Sequence, residues 1–337
     1  MPSPDGRIDL RSDTVTTPTS AMRRAMADAE VGDDVFGEDP TINRFQERAA
    51  ELLGMEAGLY VPSGTMANQV ALRTLGRRDT ALLCAERAHV YRVEGESTAD
   101  AGLTVRTLPD GAGAFTPADV ERALAEEPAP SLLTIENTYA AGNGRPWRLG
   151  EVRAVCDVAD GRDLPVHCDG ARLWNASVAL GVPAGELVAP ATTAMFCVSK
   201  GLGAPVGSVL CGPADVVAAA RKWRRRLGGA MRQAGVIAAA GLVALETMVG
   251  RLADDHHRAR AIADALAGRF PGSVDPATVE TNMIFAARDR LPADLLDRLR
   301  AEGVWALALG DEVRFVTHKD VDDDDLERVV KLIQQMD

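Results

Sequence analysis

The sequence predicts an α/β fold, a large domain on a mainly parallel sheet followed by a smaller C-terminal α/β domain. Three observations predict it. From about residue 57 to 212, short continuous apolar runs alternate with amphipathic stretches. The length of 337 residues exceeds one ordinary domain and falls short of three. Near residue 236 the pattern changes to a long Ala- and Leu-rich stretch. Apolar runs without alternation are strands covered on both faces by crossover helices.

Taken in order, residues 1–40 read as an arm with little core of its own, 41–240 as the large domain and 241–337 as the small one. Large-domain strands are expected at 58–61, 81–84, 132–135, 164–168, 195–198 and 208–211. A long helical stretch, 236–270, then leads to strands at 283–286 and 313–316. In open sheets of this kind ligands bind beyond the carboxyl ends of the strands, so the polar residues after each run are the candidates for chemistry.

Composition narrows the function classes. A formal net charge of −12 argues against nucleic acid or an anionic membrane as the main partner. No apolar stretch has membrane-spanning length, and the first ten residues lack a basic region followed by an apolar one. The five cysteines show no CxxC spacing and sit in apolar runs, as buried thiols of a reducing compartment do; a cytoplasmic location is expected. The acidic run 320–327 reads as the start of a C-terminal helix rather than a metal site. The basic cluster 221–226 reads as a solvated helix face or a subunit contact.

Three strand ends carry chemistry. The first is followed by Ser63-Gly64-Thr65 and a helical pattern, which suits a phosphate cradle or a plain helix cap. The run ending at Cys168 gives Asp169-Gly170-Ala171-Arg172, where the carboxylate can be a cap, an ion-pair partner or a catalytic group. The run ending at Val198 gives Ser199-Lys200-Gly201, and a lysine is costly to bury without a purpose. Together they supply a phosphate cradle, an anionic partner for a pyridine nitrogen and an amine for a Schiff base. Those are the needs of pyridoxal 5'-phosphate (PLP).

Seven blocks in order resemble the threonine aldolases. They include Asp9-Leu10-Arg11-Ser12-Asp13-Thr14, Gly32-Asp33-Asp34-Val35-Phe36-Gly37, Ser63-Gly64-Thr65-Met66-Ala67-Asn68 and His167-Cys168-Asp169-Gly170-Ala171-Arg172. Ser199-Lys200-Gly201-Leu202-Gly203, Gly228-Gly229-Ala230-Met231-Arg232 and Arg314-Phe315-Val316-Thr317-His318 complete the set. The resemblance covers essentially the whole chain. It implies a fold-type I PLP-dependent enzyme, a homotetramer built from dimers with shared active sites, cleaving a β-hydroxy amino acid to glycine and an aldehyde.

Carried over by position, the resemblance makes Lys200 the Schiff-base lysine and Asp169 the partner of the pyridine nitrogen. Arg172 lies near the phenolic oxygen and the substrate carboxylate. Gly64 and Thr65 hold the phosphate, and Arg232 reaches it from a neighbouring subunit. Ser12 and Arg314 complete the carboxylate clamp. His89 stacks on the cofactor ring, with the acidic Glu94 just after it.

The chain departs from the family in two places. A histidine commonly follows Glu-Asn-Thr, near the substrate hydroxyl; here Tyr139 follows Glu136-Asn137-Thr138. Glu96 stands where a small residue is usual. A phenol with an ordinary pKa of about 10 is a poor base at neutral pH. Three readings follow: Tyr139 is neutral and His89 or Glu94 is the base, Tyr139 alters which diastereomer or side chain is accepted, or the reaction itself differs. The rival classes are a related β-lyase, racemase, transaldolase or aminotransferase, a catalytically silent PLP-fold protein and, more distantly, a zinc hydrolase. For the last, His167, His256 and His257 lack ligand spacing, and the latter two are expected on an exposed helix face.

Overall fold

The computed structural model describes residues 6–111, 113–127 and 129–336. The first five residues of the expected arm and the last residue of the chain lie outside that set. The described chain opens with a two-residue strand, β1 (Ile8–Asp9). The large sheet holds β2 (Ala57–Val61), β3 (Thr80–Ala85), β4 (Leu103–Leu108), β5 (Pro130–Glu136), β6 (Val166–Gly170), β7 (Thr193–Cys197) and β8 (Ser208–Gly212). Its order is β2-β8-β7-β6-β5-β3-β4. Only β8 runs against the rest, pairing antiparallel with β2 and β7.

The six expected strands are present within two residues at each end. Every residue of β5, β6, β7 and β8 is buried, as strands covered on both faces must be. β4 was not expected. It closes one edge of the sheet and leaves Thr104 and Thr107 exposed, so it carries no continuous apolar run.

The helix Pro40–Leu53 packs beside β2. Asp39 caps it, Pro40 opens it, and Gly54 ends it at φ 64°, a conformation that costs glycine little. Asp39 also accepts the amide of Gly235 at 2.8 Å, tying this helix to one that starts about two hundred residues later.

The stretch expected as one long helix, 236–270, is two: Gly235–Thr247 and Leu252–Arg269, meeting at 73°. Among the described residues no single helix is long and apolar enough to cross a membrane. Beyond it, β9 (Met283–Ala287), β11 (Leu307–Leu309) and β12 (Glu312–Val316) form an antiparallel sheet in the order β11-β12-β9, while β10 (Val304–Trp305) pairs with β1. β10 and β11, with two and three residues, are too short to leave a pattern in the sequence.

A second core collects Ala259, Ile262, Leu266, Ile284, Phe315 and Val329, and the N-terminal Ile8 and Leu10 belong to it. Met22, from the same N-terminal forty residues, packs instead into the larger core under the sheet. The acidic run begins the helix Asp323–Gln334, where Asp322 and Asp325 form a capping box. The five cysteines are buried and free.

The basic cluster is not wholly solvated. Arg224 is 2% exposed, donates to the Tyr60 carbonyl at 2.7 Å and pairs with Asp34. Arg221 reaches the other Asp34 oxygen at 3.2 Å, so this carboxylate offsets the burial of a guanidinium.

Candidate active site

The carboxyl ends of β2, β3, β5, β6 and β7 open on one cavity, where ligands of parallel sheets bind. Gly64 and Thr65 line it from the start of the helix Gly64–Leu75, capped by Ser63 Oγ, which accepts the Met66 amide at 3.1 Å. Amides in a first helical turn have no acceptor within the helix and carry the positive end of its dipole. Glycine at residue 64 lets this turn sit close to β7. A Cβ there would stand 2.9 Å from Cys197 Sγ and 3.1 Å from Met195 Cε.

Asp169, next to last in β6, lies opposite Glu136 of β5 in the sheet register. Its side chain is almost fully buried, accepting from the Ala171 amide at 3.1 Å and from Asn68 Nδ2 at 2.8 Å. Asn68 Nδ2 also donates to Glu94 Oε1 at 3.0 Å. Both carboxylates therefore face the amide's NH2 end, and its oxygen must accept. His167 Nε2 lies 3.1 Å from that oxygen and so carries the proton. Burial pushes the His167 pKa down to about 4, which keeps this ring neutral.

Glu94 is buried as well, held also by Gln69 Nε2 at 2.9 Å. Its Oε1 lies 2.8 Å from His89 Nδ1. This hydrogen bond raises the His89 pKa above the ordinary value, with help from the charges of Asp169 and Glu136. Glu136 lines the cavity, and its two oxygens accept the His89 amide at 2.8 Å and the Ala140 amide at 2.9 Å. Burial, with the nearby Asp169 carboxylate, pushes its pKa up to about 7.

Lys200 lines the cavity three residues past β7, and its carbonyl accepts from Thr16 Oγ1 at 2.9 Å. Arg172 lines it too. Its Nε and Nη2 grip Asp13 at 2.8 and 2.6 Å. Asn282 Nδ2 reaches the same carboxylate at 3.3 Å.

Of the residues singled out in the sequence, Gly64, Thr65, His89, Asp169, Arg172 and Lys200 meet at this cavity. Glu94 stands behind His89. Ser12 and Arg314 do not line the cavity: Ser12 Oγ accepts from Thr14, and Arg314 donates to the Arg11 carbonyl at 2.7 Å. Arg11 and Ser12 lead into Asp13, so both groups flank the Arg172 ion pair. Arg232 is 67% exposed and lies 4.0 Å from Asp33, outside its own chain's cavity.

Tyr139 is a departure from expectation. It is 1% exposed, lies off the cavity, and its hydroxyl bonds to Asp110 and accepts the Arg87 amide at 3.2 Å. Burial and the Asp110 carboxylate raise its pKa still further, so the phenol stays protonated. The expected exposed pair His256-His257 is also corrected in part. His256 is half-buried against Asn175 at 3.2 Å, and burial lowers its pKa to about 4; His257 is exposed.

Residues 9–289 match the family model described as beta-eliminating lyase. Low-specificity L-threonine aldolase 1 of Arabidopsis thaliana is 39% identical over 97% of this chain and 96% of its own length. The chain belongs to the threonine aldolase family of beta-eliminating lyases. Low specificity L-threonine aldolase of Escherichia coli O157:H7 is 40% identical over 96% of this chain and 97% of its own. Among solved structures, the Leishmania major threonine aldolase superposes with a TM-score of 0.83 at 18% identity. It covers 97% of this chain and 99% of that one, a likeness of fold.

As a threonine aldolase family member, the chain is a PLP-dependent lyase of fold-type I. The cavity fits that cofactor by its own chemistry. A helix start presents free amides to it for a phosphate, a buried carboxylate lines it, and a lysine lies past the neighbouring strand end. Asn68, Glu136 and Asp13 are site residues the strand-end reading missed. Asn68 and Asp13 stood in the quoted motifs, but with no sign of what they bind.

Proposed function

We propose that this protein cleaves threonine and allo-threonine, or a related β-hydroxy-α-amino acid, to glycine and an aldehyde. The observation that carries this reading is the meeting of Lys200, Asp169, Arg172 and His89 around one cavity floored by Gly64 and Thr65. When bound, PLP supplies the electron sink that cleavage of the Cα–Cβ bond requires. Lys200 would hold the cofactor, Asp169 would face its ring nitrogen, and the amides of Gly64 and Thr65 would take its phosphate.

The chain's own groups do the rest. Arg172, fixed by Asp13 and flanked by Ser12 and Arg314, orients the substrate carboxylate and with it the bond that breaks. His89 takes the proton from the substrate hydroxyl, and Glu94 at its Nδ1 stabilises the resulting imidazolium. Tyr139 cannot do this, since its hydroxyl is spent on Asp110. With no second imidazole at that position, little distinguishes the two configurations at Cβ, so both diastereomers are accepted. The assembly we propose is a homotetramer built from dimers in which Arg232 completes a neighbour's phosphate site, in the cytoplasm, with residues 41–240 and 241–337 as its two domains.

Incubation with threonine and with allo-threonine, assaying glycine and acetaldehyde, tests the reading. Both are cleaved, and His89→Asn lowers kcat by roughly 10²–10⁴-fold. An intact PLP absorbance band with no cleavage of either substrate refutes it.

A further inference from the structure

The loops after β3 and β5, neighbouring parallel strands, are stitched together at two points that bracket Ala88. On one side of it, Glu136 accepts the amide of His89. On the other, the Arg87 amide donates to the Tyr139 hydroxyl and to Asp110 Oδ2, both at 3.2 Å. The Tyr139 hydroxyl donates to that same Asp110 oxygen, which Arg87 Nε also reaches at 3.1 Å. One carboxylate oxygen thus gathers a phenol, an amide and a guanidinium.

We propose that Tyr139, through Asp110 and Arg87, is a positioning residue that holds the turn carrying His89 against the cavity. The proposal rests on the reading of His89 as the group that takes the hydroxyl proton. A phenol suits the task because it stays a donor at every working pH, and Asp110 is a permanent acceptor. The aromatic ring lies against Gly142, 3.0 Å from where a Cβ would stand, so a side chain at residue 142 would press on it. Tyr139 is then a second device for fixing the hydroxyl end of the site, acting from behind the imidazole instead of on the substrate.

Two measurements on the PLP-loaded enzyme test this. The first is a cycle of wild type, Tyr139→Phe, His89→Asn and the double variant, read as kcat and KM for threonine. Tyr139→Phe keeps KM and the PLP band and loses between about tenfold and about a hundredfold in kcat, as displaced catalytic groups do. It loses almost nothing more in the His89→Asn background.

The second is the imidazole titration of His89 by NMR. Glu94, Asp169 and Glu136 are the charged groups facing that ring. In Tyr139→Phe the imidazole slips from Glu94 and titrates at lower pH than in wild type. Asp110→Asn, which keeps the carboxylate's volume, gives the same two results and stands in should Tyr139→Phe fail to fold. Additive losses with an unmoved titration overturn the proposal, and so does loss of the PLP band in both variants. A wild type that cleaves nothing refutes the aldolase reading alone, because the titration still decides the clamp.

Discussion

Asp13 shows how one side chain can govern a site it does not line. It is fully buried, and burial alone would raise its pKa; the Arg172 guanidinium outweighs this and holds it at about 2. Its folded value lies below the ordinary one, so it contributes stability above pH 4 that disappears as pH falls through 2. The contribution is roughly 2 kcal/mol. Denaturant titrations at pH 5 and pH 2.5 should differ by about 1.5 kcal/mol through Asp13 alone, and Asp13→Asn should remove that part of the difference. At pH 7 the same substitution leaves Arg172 without its counter-charge, a loss of about 3–5 kcal/mol, read in the unfolding midpoint.

Among secondary-structure elements, the helix Gly64–Leu75 carries the sharpest prediction. Gly64→Ala forces its methyl onto Cys197 and Met195, pushing the helix start away from the phosphate. PLP affinity in apoenzyme reconstitution should fall by about tenfold or more, each tenfold being 1.4 kcal/mol, while the isolated apo fold stays intact. This element also marks how far the sequence could be read. The strand-end positions of Gly64, Asp169 and Lys200 were legible because buried strands leave continuous apolar runs and their ends are where ligands bind. β4 was not, since an edge strand needs no such run. Asn68 was not either: its partners Glu94, Asp169 and His167 lie 26 to 101 positions away, and only folding brings them together. Tyr139 was noticed as unusual but misplaced, because spacing gives the loop and not the direction of its side chain.

For the molecule as a whole, the segment around Asp34 links several parts. Asp34 pairs with Arg221 and Arg224, its amide bonds to the Arg232 carbonyl, and the neighbouring Phe36 is 76% exposed beside the half-exposed Val35. A large apolar side chain next to an outward arginine fits a surface that another copy covers. Phe36→Asp should reduce the molecular mass seen by light scattering. Arg232→Ala should keep that mass and weaken PLP binding. An unchanged mass for Phe36→Asp together with unchanged PLP affinity for Arg232→Ala would exclude the shared-site assembly.

The pairing of β1 with β10 has a consequence for biosynthesis. Ile8 leaves the ribosome almost three hundred residues ahead of its strand partner, Val304. The nascent chain can lay down most of the large sheet while the ribosome is still adding residues, but Asp13 follows β1 and takes its place only when β10 arrives. Arg172 therefore waits, uncompensated, until residue 304 has been made. A ribosome stalled before residue 304 should display a chain with a formed sheet and an unset carboxylate site, and that intermediate is the one a chaperone would find to hold.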